Sequence, residues 1–500
     1  MLLPPSPPHP ALPFSSHLEA YFCVYTPAST FHLLQRQPEG EPQRNTREGF
    51  ILCLFSAMAA KSPHWYSYLK VTLSRENQRV EHFQKAENTL LIVLERVNAM
   101  DPRFTVEYSR NLEALDFALC AAEDEVTMQV PLCIDADDLL LEECSGKQNG
   151  SETVNHENCQ MPGTCSFRVA KDGSHLKNWT QEDVFSVAET DESSGHIVPG
   201  KVLCLLKELI IAAIVHCKHQ SLIRPGELSA ERLKDDDIQL PLLISSGWKM
   251  ICFNIVPVIR RKQGALKLSN CWQEKGFPQG SVSKVTQKAE FVPASYSHWR
   301  YCTKHPILKL VQIVSNLKGH YLDSLRLLVQ VNHENWKEGG KKKGLTSHHL
   351  EMVLLWATHL FPSPEDWISL EGSVYRLLVV LLCCLVTKDL PHFLYPEQNL
   401  FQDDGVDLSN LYPKVESFAC TPELYLKFRF ATREGNTYKS MDNGLKTLLH
   451  LPAEDKTYWN TAFFDMLLNK FQMYQIKDTE RTTAMSNILS KTKKMVNNQH

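Results

Sequence analysis

Glu123, Asp124 and Glu125 lead into the β-type run Val126-Thr127-Met128-Gln129-Val130. Side chains alternate across a strand, so Glu123 and Glu125, two positions apart, are expected on one face. Such a pair, completed by a third carboxylate from a neighbouring strand, can hold two Mg²⁺ ions for phosphoryl or nucleotidyl transfer. Whether this is an enzyme's site or its relic depends on that third acid and on a cradle for phosphate.

Few other residues are spaced for chemistry. His216, Cys217 and His219 close an apolar run without a second ligand pair nearby, and cationic groups suit a helix C-terminus in any case. Arg260-Arg261-Lys262 and Lys341-Lys342-Lys343 read as solvated loop edges, because acids such as Asp235-Asp236-Asp237 balance them, so nucleic acid is not an expected partner. The sequence has no Gly-rich phosphate loop and no nucleophile with a base at a readable spacing. No metal, cofactor-binding or catalytic residue is therefore assigned.

The chain has 500 residues, 43% hydrophobic and 22% charged, with a net charge of −4. This is globular composition, long enough for two to four domains, with no overall attraction to polyanions. Its 15 cysteines are scattered except for Cys383-Cys384, and no Cys-x-x-Cys occurs. They read as reduced thiols of a cytoplasmic or nuclear protein, which makes the sequons at Asn149 and Asn178 chance matches. The longest apolar run, 374–386, spans 13 residues and contains Arg376, so it reads as a buried core helix rather than a membrane span. The apolar run 49–60 lies too deep in the chain for a secretory signal.

These residues need elements to position them. Residues 1–57 are Pro-rich at the start and show no period, and read as a disordered or alternative extension before a natural start at Met58. A helix is expected over 65–99, with Phe83, Ala86, Leu90, Leu91, Leu94 and Val97 on one face and Asp101-Pro102 as its stop. Strands are expected over 114–119 and 126–134. Residues 142–196 are polar, with a weak island at 167–169, and read as a long, largely disordered insertion. The run 201–217 is apolar nearly all round and is expected to be a buried helix, followed by strands over 239–244 and 250–258. This makes 58–296 an α+β unit. From 297 to 500 the pattern is helical, with helices expected at 307–317, 322–331, 348–360, 373–387 and 458–474.

Several segments together resemble the Mab-21 family. They are Phe83-Gln84-Lys85-Ala86-Glu87-Asn88, Leu94-Glu95-Arg96-Val97, Asp101-Pro102-Arg103-Phe104 and His196-Ile197-Val198-Pro199. Downstream come Ser245-Ser246-Gly247-Trp248, Val256-Pro257-Val258, Glu365-Asp366-Trp367, Leu390-Pro391-His392-Phe393-Leu394 and Pro396-Glu397-Gln398-Asn399-Leu400. No single segment is specific; their order and spacing over 58–494 carry the resemblance. It implies an α+β fold in which a nucleotidyltransferase-like mixed-sheet lobe packs against a C-terminal all-helical, HhH/H2TH-like lobe, as in cyclic GMP-AMP synthase. In active relatives a Gly-Ser pair cradles phosphate, and an acidic pair with a third acid holds the metals.

Here the acidic pair maps onto Glu123 and Glu125, the Gly-Ser position falls at Arg110-Asn111, and the third acid falls at Asn254. Without glycine the backbone cannot approach a phosphate as closely, and a neutral amide leaves a dication pair short of one charge. The expectation is a non-catalytic interaction scaffold in differentiation or development, with protein partners. The alternatives are a nucleotidyltransferase sensor making a nucleotide second messenger, or a nucleotide-binding pseudoenzyme.

Overall fold

Helix α1 (Pro63–Met100) has neither Gly nor Pro after its first residue, so nothing in it favours a break. It begins the described part of the computed structural model, which covers residues 63–497 apart from 122, 135–138, 144–162, 170–178, 180–183, 187–194, 235–236, 248, 262–274, 337–343, 427–440, 452–454 and 472–477. The extension 1–57, both sequon asparagines, Lys262 and Lys341–Lys343 lie outside these residues. Two hydrophobic cores form along α1. Trp65, Tyr68 and Leu69 enter one, while Phe83, Ala86, Leu90, Val93, Leu94 and Val97 enter the other.

The second core sits under a mixed sheet. Its strands are β1 (Glu125–Pro131), β2 (Leu139–Glu143), β3 (Thr164–Val169), β4 (Phe185–Ser186), β5 (His196–Ile197), β6 (Leu228–Ser229), β7 (Leu240–Ser245), β8 (Met250–Arg261), β9 (Ala289–Pro293) and β10 (Trp299–Tyr301). The path runs β4-β5-β3-β10-β9-β8-β7-β6, with β1 on β8 and β2 on β3. β8 joins the two halves. Residues 250–255 pair antiparallel with β7, residues 252–258 run parallel to β1, and residues 259–261 turn to β9. Between α1 and β1 lies α2 (Asn111–Leu119), and α3 (Pro199–His219) packs with α1 under the sheet.

Three expectations change here. Residues 114–119 are helical, in α2, not a strand. A short apolar run does not declare its period, and α2 is fixed by distant partners: Lys304 holds Asp116 at 2.6 Å and His305 faces Glu113 at 3.5 Å. The island at 167–169 belongs to β3, an inner strand pairing with β2, β5 and β10. Phe167 there is fully buried, edge-on to Phe291 at 4.8 Å, so the region read as an insertion supplies part of the core. Finally, α3 is buried on one side only: Ile211 is 43% and Val215 64% exposed.

The helical part comprises α4 (Ser281–Thr286), α5 (Lys304–Ser315), α6 (Tyr321–Val331), α7 (Ser347–Leu360), α8 (Leu370–Thr387), α9 (Leu400–Asp403), α10 (Leu408–Cys420), α11 (Asn443–Leu449), α12 (Thr461–Lys470) and α13 (Thr479–Asn497). By length and composition α8 could cross a membrane, yet it is buried among its neighbours. Its Arg376 is held by Asp366 at 3.1 Å, and Asp366 also accepts from Arg481 of α13 at 2.9 Å. The helix expected over 458–474 is the shorter α12; α10 and α13 were not anticipated.

Candidate functional site

β1 starts at Glu125, so Glu123 and Asp124 precede the strand rather than lie in it. Alternation sends Val126, Met128 and Val130 into the sheet-lobe core, with Ile251, Phe253 and Ile255 of β8. Glu125, Thr127 and Gln129 point to the other face. The parallel register sets Glu125 opposite Cys252 and Thr127 opposite Asn254, and Cys252 Sγ lies 3.6 Å from Asn254 Oδ1. Burial raises the Cys252 thiol's pKa, and the Glu125 charge adds to it. The residues mapped as one acid and the neutral third position are therefore neighbours.

Asp124 is handled differently. Lys249 Nζ binds it at 2.8 Å and Arg79 Nη1 at 3.2 Å. Arg79 also donates to the Phe117 and Glu123 carbonyls, at 3.0 and 2.7 Å, and lies over the Phe117 ring. Asp124 thus fixes the turn between α2 and β1, while Glu123 and Glu125 remain exposed.

At the position mapped to a phosphate cradle, Arg110 is the N-cap residue of α2, with φ −113° and ψ 34°, and is 2% exposed. Its Nη1 donates to the Gln129 carbonyl at 2.9 Å and lies 3.7 Å from Glu113 Oε1. His305, the second residue of α5, stands between two acids: Nε2 is 3.5 Å from Glu113 and Nδ1 is 3.0 Å from Glu290 of β9. Arg260 extends the cluster, reaching Glu107 at 2.7 Å and Glu290 at 3.6 Å, and Lys309 also faces Glu290 at 3.6 Å.

Charge sharing shows in the protonation. Burial alone would lower His305 and raise both acids. The two carboxylates instead lift His305 to about 9, and the imidazolium with its cationic neighbours brings Glu290 down to about 2. Glu87 of α1 lies close enough to feel Arg110 and Glu113, and burial pushes its carboxyl up to about 7. Its Oε1, and Nε and Nη2 of Arg110, have no hydrogen-bond partner among the described residues. The cluster's acids and bases largely neutralise one another, and it ties α2, β8 and β9 to α5.

A cleft of about 360 Å³ runs between α1 and α6. Arg326 binds Glu76 through Nε and Nη2 at 2.6 and 2.8 Å. Glu334 accepts from Tyr68 at 2.9 Å, Gln330 at 2.7 Å and Arg75 at 2.8 Å. Most of these pairs escape sequence reasoning because the partners lie far apart in the chain, 250 positions for Glu76 with Arg326 and 266 for Tyr68 with Glu334. Among the described residues no group of three or more His, Cys, Asp or Glu side chains could hold a metal ion.

Residues 320–417, from α6 into α10, match the Mab-21 protein HhH/H2TH-like domain. Protein mab-21-like 3 of Xenopus laevis is 22% identical over 273 residues, covering 52% of this chain and 72% of that protein.

Proposed function

Taking the chain as a Mab-21 family protein, on its HhH/H2TH-like domain and its Xenopus relative, we propose that it is a non-catalytic interaction scaffold on a nucleotidyltransferase-like fold. Within the family we assign it to the Mab-21-like protein 4 type, on the order of the segments quoted above. We further assign it a role in differentiation or development, exerted through protein partners in the cytoplasm or nucleus.

Arg110 is the observation that carries the loss of catalysis. A phosphate cradle needs backbone amides that a ligand can approach. Here a buried arginine fills that position, and its charge is turned inward to Gln129 and Glu113. Asn254 beside Thr127 adds no charge to Glu125, and Asp124 is already neutralised by Lys249 and Arg79. Two dications at this edge would meet too little negative charge to displace their water.

The test is incubation of the purified full chain with ATP, GTP and Mg²⁺ or Mn²⁺, with and without double-stranded DNA or RNA. No nucleotide product is expected. Product that disappears in Glu125→Ala would sink the reading. Protein partners recovered by affinity purification are expected to survive Glu123→Ala/Glu125→Ala, and their loss counts against a scaffold that does not use the acidic edge.

One observation favours a second reading. Glu125 remains exposed beside Thr127 and the Asn254 amide, a set that could retain a metal–nucleotide complex without turnover. Under the leading reading the melting curve is unmoved by nucleoside triphosphate and Mg²⁺; a saturable shift abolished by Glu125→Ala would favour the pseudoenzyme.

A further inference from the structure

Cys204, Glu208, Ile211 and Val215 recur at steps of four, three and four, and so form one stripe along α3. All four are exposed, as are Ala212 at the stripe's edge and Lys218 and His219 at its end. The opposite side is fully used: Val202, Leu203, Leu206, Ile210, Ala213, Ile214 and Cys217 pack into the sheet-lobe core. An amphipathic surface helix normally turns a polar face to water. This one turns an apolar stripe outward, the pattern of a helix with a second packing contact.

The charges on the stripe indicate what that contact is. The acid, Glu208, lies in the first half of the helix and Lys218 lies in the last turn. Two copies of α3 laid parallel would oppose Glu208 to Glu208 and Lys218 to Lys218. Laid antiparallel about a two-fold axis at residue 213, they bring Ile211 against Val215 and Glu208 against Lys218, each pair twice. Glu208 and Lys218 both lie five residues from that axis, about 7.5 Å along the helix, so the pairs are level. Ala212 near the crossing lets the backbones approach, and antiparallel macrodipoles attract. Lys218 Nζ donates to the Leu228 carbonyl only at 3.4 Å, which leaves two of its three hydrogens for a carboxylate. Leu222, just past the helix end, is 56% exposed.

We infer that α3 is a self-association surface on which a second copy of this chain docks antiparallel. The interface is isologous, each copy supplying the same stripe. One helix face is smaller than the ~1,600 Å² of a standard interface, so the dimer forms in a concentration-dependent way. It stands apart from the scaffold reading and holds whether or not the sheet lobe retains nucleotide chemistry.

Sedimentation velocity on the full chain over a wide concentration series tests this. The expected weight-average mass rises from one chain toward two. Val215→Glu is expected to hold the protein monomeric at every concentration with an unchanged melting temperature, since the side chain is exposed. Glu208→Lys and Lys218→Glu each remove two pairs and are expected to weaken the dimer about tenfold. The double swap, Glu208→Lys with Lys218→Glu, is expected to restore it. A wild-type chain that stays monomeric throughout, or a dimer that survives Val215→Glu, overturns the surface. Single swaps that weaken and a double swap that fails to restore overturn the antiparallel register.

Discussion

At the start of β1, Glu123 and Glu125 stand in solvent, while Arg110, Glu113, Glu290 and His305 pack at a tenth exposure or less. The second region brings Glu290 of β9 and His305 of α5 from far along the chain onto Arg110 and Glu113 at the start of α2. One keeps its acids exposed to water. The other has its acids and bases closed on one another. Charge in water is available to a ligand at little cost to the fold, whereas charge withdrawn from water must be paired and becomes part of what holds the lobes together.

Mutation of each region should separate these roles. His305→Ala leaves two buried carboxylates short of their shared partner and is expected to cost about 3–5 kcal/mol in chemical denaturation of the full chain. If it costs no more than an exposed-pair mutation, the contrast fails. The same group sets a pH dependence. His305 is raised from 6.5 to about 9, so its stabilisation is complete below pH 6.5 and is lost as pH climbs through 9. About 3 kcal/mol should disappear across that window in wild type and not in His305→Ala.

Glu87 has the opposite sign. Its carboxyl is raised from 4.5 to about 7, so stability falls as pH rises from 4.5 through 7 and the full penalty stands above that. Glu87→Gln is expected to gain about 1 kcal/mol at pH 8 and nothing at pH 4, read from denaturation at both. Arg75→Ala breaks the pair to Glu334, in which Arg75 is 54% exposed, and is expected to cost under about 1 kcal/mol, shrinking further in high salt. Smallest of all, Glu123→Ala/Glu125→Ala should leave the melting temperature where it is.

How much of this was legible depended on whether the signal was local. The long periodic helices α1, α7 and α8 follow directly from their apolar spacing, and β7 and β8 from the turn Ser245-Ser246-Gly247 between them. The strand Thr164–Val169 was hidden by its polar flanks, because what buries it is Phe291 and Trp299, more than 120 residues away. α13 is mostly polar, with a thin stripe of Met485, Ile488, Leu489, Met495 and Val496 against the core, and Arg481 in its first turn is held by Asp465 and Asp366, partners that no local pattern announces. Of the candidate site, Glu123, Glu125, Arg110 and Asn254 could be singled out from the sequence, but not that Glu123 precedes β1 instead of sharing its face with Glu125. The ring of Glu113, His305 and Glu290 was not, since it joins three elements that only the fold brings together.

The two cores threaded by α1 have a mechanical consequence. At about 1.5 Å per residue its 38 residues make a rod of roughly 57 Å, seated at one end among helices and at the other beneath the sheet. A load applied to either lobe is carried to the other as torque and thrust along that shaft, with no soft joint between. A partner gripping the helical lobe therefore moves the sheet lobe as well, and neither can be loosened without shearing the packing around the axle they share.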